Sequence, residues 1–348
     1  MTLRWGRLRC LGVLGSAALA ATVALGGCSH AAASAGTASA DTGTGSGQSL
    51  TLAQAQAAYT AWVTASTADA KQGLAVQELN IVADAQWSID HAQYAAAHAT
   101  GTPVTQYRYG TPAFYVPAQS SYPQWFVVDV PASPQTGSAA GSAVSTLMVF
   151  VHSSKTAPWT VDGSAALDQP LPSLARDSAG YAVSVSTTDQ NLLVPPYIVG
   201  PTQAAVVDQG PTAPAAAILD SGPQTTALYS AQAALGTAAT KAGLFYQWLL
   251  EGAAFAQWEL RTADGGALVL YSMYLNTTTE HAGGATGSPI PVPAGFTPLF
   301  TAPNEVALHE VTANWTYEFA AIDPPGSAPG AKITVIGGTG SPTYGSAH

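Results

Sequence analysis

The sequence predicts an α+β fold of two tandem units, each a helix against a curved antiparallel sheet. Three observations carry this. Helix-forming stretches at 50–97 and 224–242 each precede runs that alternate apolar and polar residues. A Gln-Trp pair opens a strand in each half, Gln124-Trp125 and Gln257-Trp258. Each of those strands is followed by a hairpin and further strands.

In order, Leu50 to Gln72 carries Leu52, Ala55, Tyr59 and Val63 near helical spacing, and Gly73 breaks it. Leu74 to Ala97 follows as a second helical stretch, with Leu79, Val82, Ile89 and Tyr94 facing inward. Short strands are expected at Gln106–Tyr109 and Ala113–Val116, then a clear one at Gln124–Val130. Pro131 to Ala143 reads as a loop, Val144 to His152 as a central strand, and Pro158–Val161 and Tyr181–Ser186 as further strands. Residues 190–222, rich in proline, form a crossover with a short element at Ala215–Leu219. Gln224 to Ala242 is helical, whereas Phe245–Leu250 fits helix or strand equally. Ala256–Thr262 and Ala267–Leu275 form a hairpin about Asp264-Gly265-Gly266, whose glycines accept positive φ. Glu305–Ala321 is the longest strand, with a phase change at His309-Glu310 that marks a bulge. Lys332–Ile336 closes the set. The units are therefore 50–189 and 223–340, with a tail at 341–348. By element order they are analogous to nuclear-transport-factor-like or cystatin-like folds.

Charged residues make up only 9% of the 348, far below the usual quarter. The surface must be covered by Ser, Thr, Gln, Asn, Gly and Ala. Residues 1–27 hold Arg4, Arg7 and Arg9 and no acid, so the remainder sets seven Lys and Arg against twenty Asp and Glu, a net charge of −13. Such a balance excludes nucleic acid, whose phosphates need clustered cations, and a polybasic grip on anionic lipid.

The three arginines precede an apolar, uncharged run from Leu11 to Ala24, the pattern of a signal peptide. Leu25-Gly26-Gly27-Cys28 then resembles the lipobox of bacterial lipoproteins. That resemblance implies cleavage before Cys28, an acyl chain such as palmitate on it, and a place on the outer face of the cell membrane. With Cys10 removed and Cys28 acylated, no thiol is left for a disulfide or a metal. Ser29 to Gln48 is nearly all Ala, Ser, Gly and Thr, so 28–49 reads as a flexible tether. Twenty such residues span about 25 Å.

Pro123-Gln124-Trp125-Phe126, Pro158-Trp159, Leu174-Ala175-Arg176-Asp177-Ser178-Ala179-Gly180-Tyr181-Ala182 and Asp264-Gly265-Gly266-Ala267-Leu268 are similar to the landmarks of an uncharacterised lipoprotein family of high-GC actinobacteria. The resemblance covers most of Leu50 to Gly338. It departs at a Gly/Ser loop, Gln135–Ser142, and at a Pro/Gly-rich insertion after Leu275. It implies an address and an architecture but no assigned activity.

Asp84, His91 and His98 share a helix face at intervals of seven, about 10.5 Å of rise, too far apart for two imidazoles to hold one metal. His152, Asp129, His309 and Glu310 read as strand-edge polarity before an acid/base cluster. Arg176-Asp177 reads as a turn with a local ion pair, and Asp264 as part of its hairpin. No Gly-x-Ser-x-Gly elbow, phosphate loop, dinucleotide fingerprint, His-Glu-x-x-His or calcium loop is present, so no metal or cofactor is expected. The long loop Asn276–Asn304 carries Phe296, Leu299 and Phe300, as a lid or docking segment would. The expected role is a non-enzymatic, membrane-anchored binding or assembly module, with an unknown envelope protein or an apolar ligand as partner. A carrier of an apolar ligand in a sheet cavity and an unrecognised hydrolase are the alternatives.

Overall fold

The computed structural model describes residues 49–136, 139–284, 288–293, 295–300 and 309–347. Helix α1 (Leu52–Gln72) begins where Thr51 and Gln54 cap each other. The Gln54 N–H donates to Thr51 Oγ1 at 3.2 Å, and the Thr51 N–H donates to Gln54 Oε1 at 2.8 Å. Gly73, at φ 68°, ends it in the left-handed region that glycine enters freely. The second helical stretch is split into α2 (Ala75–Glu78) and α3 (Asp84–Thr100). The break occurs because Ile81 and Ala83 exchange backbone hydrogen bonds of 3.0 and 2.9 Å with Val161, tying this segment to a sheet.

That sheet contains β1 (Gln106–Tyr109), β2 (Ala113–Tyr115), β3 (Gln124–Thr136), β4 (Ala139–Ala140), β5 (Val144–His152) and β6 (Thr160–Ala166). Its order is β1-β3-β5-β6, antiparallel throughout, with β2 and β4 also on β3. Pro131 to Thr136, expected in a loop, continues β3. Pro134 is tolerated because β3 pairs there with β1 alone, opposite Tyr107, after pairing with β5 has ended at Ala132.

The second half supplies α4 (Val199–Gln209), α5 (Thr226–Lys241), β7 (Leu244–Gly252), β8 (Trp258–Arg261), β9 (Ala267–His281), β10 (Glu310–Asp323) and β11 (Thr334–Ala347). The order is β11-β10-β9-β7, with β8 on β9. Helix α4 lies inside the segment expected as a plain crossover. Pro201 sits in its first turn, where the missing N–H would have no helical partner anyway. The ambiguous Phe245–Leu250 is strand, paired with β9 from Leu244↔His281 to Gly252↔Met273. The expected tail is also strand: β11 runs through residues 341–347 and pairs with β10 as far as Val311↔Ala347. The register slips between β10 and β11 fall at Asn314/Trp315 and Ala320/Ala321, not at His309-Glu310.

The two sheets pack face to face, and alternation along each strand assigns the faces. Phe126, Val128 and Val130 of β3 and Phe150 of β5 turn outward onto Tyr59 and Trp62 of α1. The Phe126 and Phe150 rings stack at 4.8 Å. Val127 of β3 and Leu147, Val149 and Val151 of β5 turn inward, against Leu260, Leu268, Leu270, Ala320 and Ile336 of the second sheet. On that sheet's far face, Val269, Tyr271, Met273, Phe319 and Val335 pack on Val199, Val206 and Val207 of α4. The layers thus run helices, sheet, sheet, helices. Burying each such side chain contributes about 1.5–3 kcal/mol.

The segment between β6 and α4 joins both sheets at their edges. Ala182 N–H donates to Val116 O at 2.9 Å, and Val185 N–H donates to Glu259 O at 3.1 Å. Arg261 N–H donates to Val183 O at 2.7 Å, and its guanidinium pairs with Asp189.

Candidate functional site

Leu25, Gly26, Gly27 and Cys28 lie outside the described residues. Phe296 is fully buried, with its ring 4.5 Å from that of Trp315. Phe300 is buried beside it, and Leu299 packs on the cluster they form with Leu244, Ile290, Val311, Ala313 and Ala347. These apolar groups are thus filled by the protein's own core. The loop is also shorter than expected, since β9 continues to His281.

His91 is exposed and stacks on Trp87 at 4.9 Å. His152 stacks on Trp159 at 4.9 Å. Asp129 accepts from Ser145 Oγ five register positions from His152, and Glu310 belongs to the other sheet, so these groups form no acid/base constellation. Arg176 and Asp177 do not pair with each other. The guanidinium donates to Phe114 O and Gly180 O at 3.0 and 2.9 Å, while Asp177 Oδ1 accepts the N–H groups of Ala179 and Tyr181, both at 2.9 Å. Asp264 accepts from Thr262 Oγ1 and from Gly266 N–H, as a hairpin turn requires. Among the described residues the one ion pair is Arg261–Asp189, and no three His, Asp or Glu side chains converge as metal ligands.

What the chain does assemble is a chamber of about 220 Å³ between the first three helices and the outer face of the first sheet. Trp62, Ser66 and Ala70 reach it from successive turns of α1, and Gln86, Asp90 and Tyr94 from successive turns of α3. Glu78 enters from α2, Tyr107 and Tyr109 from β1, and Met148 from β5. Among the described residues no Lys or Arg lines it.

Glu78 Oε1 accepts from Ser66 Oγ at 2.9 Å, whereas Oε2, Tyr94 Oη and Trp62 Nε1 are buried without a hydrogen-bond partner among the described residues. Burial, reinforced by the charge of Asp90, pushes the Glu78 carboxyl up to about 7 against the Ser66 bond that lowers it. Burial likewise pushes Asp90 up to about 7, opposed by Gln86 Nε2, which donates to Asp90 Oδ1 at 2.8 Å. Gln86 Oε1 in turn accepts from Ser164 Oγ at 2.8 Å, and Ser164 N–H donates to Glu318 Oε2 of β10 at 2.8 Å. Burial raises the Glu318 carboxyl well above its ordinary range. One chain of hydrogen bonds thus runs from the chamber to the second sheet.

In the sequence Glu78 and Asp90 both look like ordinary helix-surface acids. The available signal was the four-residue spacing of Gln86, Asp90 and Tyr94 beside the inward Ile89.

Fold and site together define a two-sheet α+β protein with an acid- and aromatic-lined chamber under its first helices. The chain belongs to the family described as a domain of unknown function, DUF8094, whose model matches residues 47–343. It is also similar to an uncharacterized lipoprotein of Streptomyces avermitilis, 29% identical over 191 residues, 53% of each chain. The chain thus spans about half the length of that curated relative. Both matches agree with the resemblance read from the landmark residues. No solved structure matches.

Proposed function

We propose that this protein is a membrane-anchored extracytoplasmic lipoprotein that acts as a non-enzymatic binding module of the cell envelope, with the chamber as its ligand site. The lipobox-like Leu25–Cys28 and the name of the Streptomyces relative support the anchor. The observation that carries the binding role is the chamber itself: it is lined by residues whose buried polar atoms, Glu78 Oε2, Tyr94 Oη and Trp62 Nε1, lack a partner among the described residues. Orphaned buried groups of this kind are costly unless something satisfies them.

Glu78 and Asp90 give the chamber an acidic lining, and burial raises both carboxyls to about 7. The same acids disfavour a purely apolar cargo, since every polar wall would lose its water without a replacement.

Cys28→Ser tests the anchor. The full chain, expressed in an actinobacterial host with radiolabelled palmitate, should incorporate label and sediment with membranes. The variant should do neither, and a variant that still carries label would refute acylation at Cys28. Native mass spectrometry of the detergent-extracted protein tests the site: a co-purified small mass, lost on denaturation and lost in a Trp62→Arg variant that retains its fold, is the expected result.

A further inference from the structure

We infer that the chamber receives a small organic cation, an ammonium group held between the carboxylates of Glu78 and Asp90 and the rings of Trp62, Tyr94, Tyr107 and Tyr109. This rests on the reading of the chamber as the ligand site and specifies what enters it.

Four features converge. The first is sign: among the described residues two carboxylates line the space and no Lys or Arg does. A carboxylate taken out of water needs a partner of opposite charge or several donors. Among the described residues, Glu78 has one hydroxyl donor on Oε1, and Asp90 has one amide donor on Oδ1.

The second is the unfilled acceptor. Glu78 is 3% exposed and its Oε2 has no partner. A turn of the carboxylate would present this enclosed oxygen to the chamber, where an ammonium brings it either N–H donors or, when quaternary, bare positive charge. The buried Tyr94 hydroxyl, also unpartnered, adds a second acceptor.

The third is the wall. Four aromatic side chains line the chamber together with the acids, and the face of an indole or phenol attracts a cation by about 0.5–2 kcal/mol, more as water is excluded. The Trp62 and Tyr109 rings are already fixed edge to face at 5.9 Å, so little order would be lost on binding. The fourth is size. About 220 Å³ lies below the usual range for drug-sized ligands and suits a small headgroup.

Charge linkage follows. The groups electrostatically coupled to the pair are Asp69 of α1, Tyr94 of α3, Tyr107 and Tyr109 of β1, and Glu318 of β10. All are acids or phenols, so none supplies positive charge. The cation binds the ionised pair. Both carboxyls, near 7 when the chamber is free, are therefore driven to ionise on binding and release protons. Affinity should rise between pH 6 and pH 8.

The test is titration calorimetry of the detergent-solubilised full-length protein with choline chloride, and with 3,3-dimethylbutan-1-ol as its neutral isostere. Choline should bind at least tenfold tighter than the isostere at pH 8, and at least tenfold more weakly at pH 6, where binding should be accompanied by proton uptake by the buffer. Glu78→Gln/Asp90→Asn should lose the preference for choline while keeping its near-ultraviolet circular dichroism. Should that variant misfold, Thr146→Lys, which places a resident ammonium at the chamber floor, should abolish choline binding instead. Equal binding of both probes, or binding unchanged by pH and by these substitutions, would overturn the cation assignment yet leave the chamber as a site. No binding of choline or of putrescine up to millimolar concentration would also overturn it. In that case a co-purified neutral or anionic mass would keep the chamber as a site, and its absence would remove both readings.

Discussion

Glu259→Gln offers a direct measure of what buried acids cost this fold. Glu259 lies on β8, is 4% exposed, and leaves Oε1 without a hydrogen-bond partner. Burial alone pushes its carboxyl from 4.5 up to about 8. Between those values the folded protein keeps the proton and the unfolded chain has lost it. The folded state therefore binds more protons, and stability falls as pH rises. The cost is absent below pH 4.5, grows at about 1.4 kcal/mol per pH unit, and levels off above pH 8. At pH 7 it amounts to about 3 kcal/mol. Glutamine keeps the shape but has no proton to lose. Its uncompensated amide costs about 1 kcal/mol at every pH. The variant should match the natural protein near pH 5 and exceed it by about 2 kcal/mol at pH 7, roughly 3 °C in Tm for a body of this size. Melting curves by circular dichroism from pH 5 to pH 9 read this directly. Parallel Tm-against-pH curves for the two proteins would refute the reasoning, because they would show Glu259 titrating alike when folded and unfolded.

Gly337→Ala should destabilise the protein by about 1–3 kcal/mol in urea unfolding. A Cβ there would lie 2.3 Å from Ala166 O and 2.7 Å from Leu167 Cα, both backbone atoms that cannot swing aside. A loss under 0.5 kcal/mol would show that the sheets part easily at this point. Phe296→Ala should cost about 3–5 kcal/mol, as expected for an emptied aromatic site, and should shift the emission of Trp315, on which Phe296 packs. A near-neutral result would mean the segment carrying Phe296 contributes little to the core.

Elements whose period was visible were legible in the sequence. Helix α1 shows its spacing and its terminal Gly73, and β3, β5 and β9 show apolar alternation or continuous apolar runs. Strand β11 was legible only at its start because Gly337, Gly338, Gly340, Pro342 and Gly345 suppress every strand signal. Those residues answer to tertiary packing: a side chain at Gly338 or Gly340 would strike the rings of Phe319 or Tyr317. Strand β7 was undecided because its residues suit either period, and pairing with β9 decides it. The chamber was hidden for a related reason. Its two acids come from two helices and its other walls from a third helix and five strands, and no spacing along the chain encodes which faces meet.

Strand β11 also has a consequence for the order in which the chain becomes a protein. It pairs with β10, bridges Leu167 through Gly337, and through Thr339 Oγ1 accepts the Ala166 N–H at 3.1 Å beside the chamber. A cavity built almost wholly from residues 62–166 is therefore finished by a strand some 170 positions later. Chain emerging from a ribosome or a secretion channel folds from its N-terminal end as it appears. Here the early half would wait, its inner sheet face bare until β8 to β10 arrive and its chamber unfinished until β11 does. Secretion rate and chaperone supply thereby become determinants of yield, and a stall before Thr334 would release a product with neither a finished pocket nor a soluble surface.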